Sequence, residues 1–141
     1  MKQFAFSLEK ILDLRKFEKK QAEAELGKAL SEENRIQNQL NDIAEARVFT
    51  NNDSDGVHDI FNLMRNQQYL QLLKIRENQY LNDLSQAKIV SESKRTVLIE
   101  AMKKEKVLTK LKEAKLAEYN KSLNKAEDIA NDDVVTARYG R

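Results

Sequence analysis

The chain has 141 residues, of which 34% are charged, and it holds no proline, cysteine or tryptophan, three glycines, five phenylalanines and four tyrosines. This is the profile of long helices and coiled coils, and it argues against a globular core. With 25 basic and 23 acidic side chains, overall charge nominates neither nucleic acid nor an anionic membrane, and the absence of cysteine excludes a disulfide framework and a thiolate metal site.

At the N-terminus, Glu9 and Asp13 interrupt the apolar residues before they reach the length of a secretory leader. No later stretch approaches about 18 apolar residues, so no bilayer span is expected. A cytoplasmic protein follows, with peripheral attachment to a membrane complex left open. Ser7 is the expected cap of the first helix, with Phe6 and Ile11 as its hydrophobic staple.

From there, steps of four and three pick out Leu8, Leu12, Arg15, Lys19, Ala22, Leu26, Ala29, Glu33, Ile36, Leu40, Ile43 and Arg47, an imperfect heptad seam. Arg15 and Lys19 have two readings. Either they mark a stretch with another partner, or their long stems lie along the seam while the charges reach water. Gly27, costing roughly 1 kcal/mol against alanine within a helix, is read as a point of close approach by the neighbouring helix.

The first helix is expected over about residues 7–48, because Thr50-Asn51-Asn52-Asp53-Ser54-Asp55-Gly56 concentrates turn-forming residues. A turn over about 49–57 then folds the chain back as an antiparallel pair, with Asp53, Ser54 or Asp55 capping the second helix. His58, with no ligand partner near it in sequence, reads as a solvated residue at a helix start. Between residues 58 and 135 no proline or glycine interrupts the helix formers Leu, Lys, Glu, Gln, Ala and Arg. A helix of that length spans roughly 115 Å, more than any compact domain of this size, so a single rod is expected.

Leu70, Leu73, Tyr80, Leu84 and Ala87 can face the first helix, and the register continues through Ser91, Lys94, Leu98 and Ala101. Beyond it the stripe is expected to drift, since Met102, Leu116, Tyr119, Leu123 and Ala126 fit one register while Ala101, Leu108 and Leu111 fit another. A turn at 49–57 sets Leu8 near Leu98 and leaves about residues 101–135 overhanging, with an apolar stripe that needs a second surface. Gly140 and Arg141 are expected to fray.

Charge separates along the chain. Residues 32–59 carry seven acids and two bases, and residues 94–125 carry ten bases and four acids. A solvated face accounts for the lysines; no zinc spacing, stacking motif or basic zipper supports nucleic-acid binding. No phosphate loop, nucleophile elbow or helix-borne histidine pair is present, and a two-helix hairpin offers its carboxylates no water-excluding cleft, so an enzyme is not expected. Neither a cofactor nor a metal is implied.

The opening Phe4-Ala5-Phe6-Ser7-Leu8-Glu9-Lys10-Ile11-Leu12-Asp13-Leu14-Arg15, with Ala22 and Leu26, resembles the start of the FliJ family of the flagellar type III export apparatus. The closing Asp128-Ile129-Ala130 and Ala137-Arg138-Tyr139 resemble that family's C-terminal signature. The resemblance implies a long antiparallel two-helix coiled coil, akin to the central stalk of rotary ATPases, whose terminal end associates with the export ATPase ring and promotes its assembly and hydrolysis. It also implies a link from that ATPase to the export gate at the inner membrane and, in some members, recycling of export chaperones.

On this resemblance, ring binding falls to Phe4, Phe6, Arg15, Leu116, Tyr119, Leu123 and Arg138. The segment Gln67-Gln68-Tyr69-Leu70-Gln71-Leu72-Leu73 resembles the gate-contacting region, with Tyr69, Leu73, Arg76 and Tyr80 as contacts. Arg76 stands where the family often has a small residue, and Leu73 and Tyr80 are also seam positions by spacing. The alternative class is a self-associating structural spacer or holdase-like adaptor, and the injectisome counterpart is a third reading.

Overall fold

A computed structural model describes residues 3–56 and 59–139. Two helices, α1 (Glu9–Asp55) and α2 (Ile60–Tyr139), pack together, and there is no strand among the described residues. The fold is all-α, as composition and helix propensity lead one to expect. Packing divides the chain into two compact units: Gln21–Leu98, and the two chain ends, Met1–Lys20 with Ile99–Arg141.

In the Gln21–Leu98 unit the helices run antiparallel. Glu25 pairs with Lys94 at 3.8 Å, Glu33 accepts from the Ser91 hydroxyl, Arg47 pairs with Glu77, and Asn66 reaches Ser54 and Asp53. The core is the expected seam: Ala22, Ala29, Ile36, Ile43 and Leu73 are buried, and Leu26, Leu40, Leu70, Tyr80, Leu84 and Ala87 are half-buried. Polar residues also sit in it. Ser91 is buried at a seam position and its single hydroxyl proton is shared between the Glu33 carboxylate and the Lys88 carbonyl, so it costs no unmet hydrogen bond.

The hairpin end corrects the sequence reading. Helix α1 does not stop near Val48 but continues seven residues further, to Asp55. Thr50 falls on the seam spacing and is only 6% exposed, and the Ser54 hydroxyl donates to the Thr50 carbonyl at 2.9 Å. Packing and this bond hold residues of poor helix propensity in the helix. Asp59 is the cap of α2: its carboxylate accepts from the Phe61 amide at 2.9 Å and its carbonyl from the Leu63 amide at 3.1 Å. Asp53 and Ser54 instead accept from the Asn66 side chain, at 3.3 and 2.8 Å. His58, Gly140 and Arg141, each read in the sequence, lie outside the described residues.

Gly27 is a second correction, since a Cβ built there meets nothing within 4 Å. No neighbouring helix approaches it, and the glycine occupies an exposed position.

In the unit formed by the chain ends, α1 starts at Glu9, with its cap one residue later than expected. The Leu8 carbonyl accepts the Leu12 amide at 2.9 Å, while the Phe6 carbonyl accepts the Glu9 amide at 3.1 Å. Leu8 rather than Ser7 is therefore the capping position, and Leu12, 1% exposed, carries the burial, while the expected staple residue Ile11 is exposed.

Lys19 pairs with Glu105 at 3.4 Å and Glu9 with Lys112 at 2.8 Å, again antiparallel. Arg15 pairs with Glu18 at 3.1 Å, and both Arg15 and Lys19 are half-buried. Their stems lie along the seam while their charges are paired. The α2 stripe keeps its four-three spacing as far as Tyr119: Ala101 is buried and Glu105, Leu108, Lys112 and Tyr119 are half-buried, with Lys115 the exposed exception; beyond it Leu123 rather than Ser122 is half-buried, so the expected drift begins there. Met102, Leu111 and Leu116 lie off this row and are exposed.

Candidate functional site

The residues expected at the ring divide into a joined pair and a scattered remainder. Phe4, ahead of α1, and Tyr119, on α2, are half-buried against each other, with ring centroids 5.6 Å apart and planes at 47°. Such a tilted aromatic pair contributes about 0.5–1.5 kcal/mol beyond its area. It is reached because the pairings Lys19–Glu105 and Glu9–Lys112 carry the antiparallel register on to residue 119. The expected projection of α2 from residue 101 is thereby corrected, because α2 is partnered as far as Tyr119.

Phe6 is half-buried beside the helix start, Leu123 is half-buried on α2 and Leu116 is 39% exposed. Arg15 is engaged by Glu18 on its own helix. Arg138 is 19 residues beyond Tyr119 on α2, roughly 28 Å along the axis, so the structure does not bring it to the Phe4–Tyr119 pair. Every residue from 124 to 139 is exposed.

The second set is gathered completely. Tyr69, Leu73, Arg76 and Tyr80 line one recess of about 260 Å³ between the helices, together with Gln39, Asp42, Ile43 and Ala46 of α1. The i, i+4, i+7, i+11 spacing sets the four α2 residues on one side of the helix. Seam and surface roles are reconciled by depth. Leu73, 3% exposed, and Ile43, 7% exposed, form the floor, whereas Tyr69 and Arg76 stand exposed on the wall.

Gln39, Asp42 and Ala46 were not picked out from the sequence. The signal was there: each immediately precedes a seam residue, Leu40, Ile43 or Arg47, as Tyr69 and Arg76 precede Leu70 and Glu77. In an antiparallel pair those rows flank one side of the seam.

One seam ion pair lies beside this recess. Arg47 hydrogen-bonds Glu77, and Lys74 reaches its other carboxylate oxygen at 3.4 Å. The Arg47 bond, and then the Lys74 bond, hold the Glu77 carboxyl below the usual range, outweighing desolvation. No cluster of His, Cys, Asp or Glu that could hold a metal, and no helix long and apolar enough to cross a membrane, occurs among the described residues.

Compared with known families, residues 4–141 match the model described as Flagellar FliJ protein. No curated protein and no solved structure matches the chain.

Proposed function

The chain belongs to the FliJ family and so to the flagellar export apparatus, and from that premise we propose that it is the non-enzymatic stalk that engages the export ATPase ring and couples it to the export gate. The family match over nearly the whole chain carries this reading. The Phe4–Tyr119 contact supports it further, since residues assigned to ring binding from opposite ends of the sequence meet in one packed unit. On this reading the exposed α2 residues 124–139, with Arg138, form the overhang that enters the ring, and Phe4, Phe6, Arg15, Leu116, Tyr119 and Leu123 form the shoulder behind it.

The gate contact is the recess around Leu73, read with Tyr69, Arg76 and Tyr80 and widened to Gln39 and Asp42 of α1. A half-exposed aromatic and an arginine over an apolar floor suit a partner segment that inserts an apolar side chain and pairs a carboxylate with Arg76. A self-associating spacer is the competing class. It requires a stable homodimer in sedimentation without any ATPase, whereas the stalk is monomeric alone.

The test is the hydrolysis rate of the same organism's purified export ATPase, with the intact chain and with a variant lacking residues 124–139. Ending the chain there keeps Tyr119 as the partner of Phe4. Stimulation by the intact chain and its loss in the truncation is the expected result; full stimulation by the truncation puts the ring contact elsewhere. Separately, Tyr69→Ala with Arg76→Ala is expected to weaken capture of the gate's purified cytoplasmic domain while leaving ATPase stimulation intact.

A further inference from the structure

Taken every seventh residue, the seam alternates. On α1, Lys19, Leu26, Glu33, Leu40 and Arg47 run polar, leucine, polar, leucine, polar, and on α2, Glu77, Leu84, Ser91, Leu98 and Glu105 do the same. Each of these residues is buried or half-buried. The two alternations are in phase, because the polar members meet across the seam at every fourteenth residue of both helices. Arg47 bonds Glu77, Glu33 accepts from the Ser91 hydroxyl, and Lys19 pairs with Glu105 at 3.4 Å. In the Gln21–Leu98 unit the same spacing sets Leu40 opposite Leu84 and Leu26 opposite Leu98.

A plain heptad repeat lets one helix slip along the other by seven residues, roughly 10 Å, with every seam position still facing inward. The alternation removes that freedom. A slip in one direction sets Glu33 against Leu84 and Arg47 against Leu70; in the other it sets Glu33 against Leu98 and Arg47 against Leu84. Matched, half-exposed ion pairs add little stability, but a charge held in the seam against leucine loses its partner and keeps its desolvation. The layers therefore act on the difference between registers more than on the strength of any one.

We propose that the alternating layers are a slip lock, which bars one-heptad sliding of α1 along α2. A two-heptad slide sets polar on polar again, so the alternation leaves the choice between registers that far apart to the hairpin end. On the stalk reading, and for this consequence alone, the lock lets the hairpin transmit a push or pull instead of absorbing it by sliding.

The test uses the full chain, which has no cysteine of its own, so an engineered pair is its only route to a disulfide. Ile43 and Tyr80 line one recess, and Ile36 and Ala87 each lie one heptad further from the hairpin end. Ile36→Cys with Ala87→Cys reports the observed register. Ile36→Cys with Tyr80→Cys, and Ile36→Cys with Lys94→Cys, report one-heptad slips in the two directions. Under mild oxidation the first pair is expected to close within the chain at least about tenfold faster than either of the others, whose separation exceeds what a disulfide spans.

Lys19→Leu, Glu33→Leu, Arg47→Leu, Glu77→Leu, Ser91→Leu and Glu105→Leu together level the layers, with helicity by circular dichroism unchanged because leucine is a strong helix former. In that background the slipped pairs should close within about threefold of the first. Arg47→Glu with Glu77→Arg keeps the alternation and should keep the tenfold gap.

A gap that survives levelling means that the hairpin end alone holds the register, and it overturns the lock. Equal closure of the three pairs without levelling, or loss of the gap on charge exchange, overturns it as well. ATPase stimulation by the intact chain tests the stalk separately. Stimulation with the lock overturned leaves the stalk standing, and a lock without stimulation overturns the stalk.

Discussion

The two packed units use one heptad register and fill it differently. In Gln21–Leu98 the seam buries Ala22, Ala29, Ile36, Ile43 and Leu73, while in the unit of the chain ends the buried apolar residues are Leu12 and Ala101. Both units carry interhelical ion pairs, Glu25 with Lys94 and Arg47 with Glu77 in the first, Glu9 with Lys112 and Lys19 with Glu105 in the second, but only the first backs them with buried isoleucines. Half-exposed pairs of this kind contribute little next to buried aliphatic side chains. Heptad spacing therefore says which positions face the partner helix, not how strongly they hold it. On the stalk reading the difference has a use: the end that meets a partner keeps its apolar residues available, and the Gln21–Leu98 unit acts as the scaffold.

The largest test of this contrast is Leu73→Ala. It should destabilise the Gln21–Leu98 unit by roughly 2–5 kcal/mol, read from the denaturant midpoint. An equal loss from Leu108→Ala, half-buried in the other unit, would remove the distinction. Gly27→Ala should raise stability by about 1 kcal/mol or somewhat less, because the added methyl enters open space. A loss there would restore the close approach that the geometry denies.

Smaller still is a pH effect. Glu77 is held below its ordinary carboxyl pKa in the folded chain by Arg47 and then Lys74. Its contribution is present above the ordinary value of 4.5 and is lost as pH falls from there through the lowered folded value. Melting temperature should thus drop on acidification through that window, and Glu77→Gln should flatten that part of the curve. Smallest of all, removing residues 124–139 should leave the melting midpoint unchanged, and hydrogen exchange in the intact chain should be fastest there, since those residues are exposed throughout.

Much of this was legible residue by residue. Every position of the α1 seam from Leu8 to Arg47 is buried or half-buried, including the polar Arg15, Lys19 and Glu33. The four α2 residues read as a gate contact line a single recess. The α1 wall of that recess was missed because Gln39, Asp42 and Ala46 carry no apolar signal of their own; they acquire a role only from what α2 sets opposite them. Turn chemistry misled at Thr50-Asn51-Asn52-Asp53, where local preference lost to seam burial and to side-chain hydrogen bonds.

The sequence by itself determined that there are two long helices, which face of each is apolar, and which family the chain resembles. Helix formers without breakers and a repeat of seven are properties of each segment alone. Only the tertiary structure decided how far one helix slides along the other. Leu8 was expected near Leu98, yet its neighbour Glu9 meets Lys112, a shift of about two heptads. A slide by whole heptads keeps every seam position facing inward, so the repeat cannot select among such registers. Within the Gln21–Leu98 unit that choice falls to the hairpin end, where Thr50 is buried, Asn66 bridges to Ser54 and Asp53, and Asp59 starts α2.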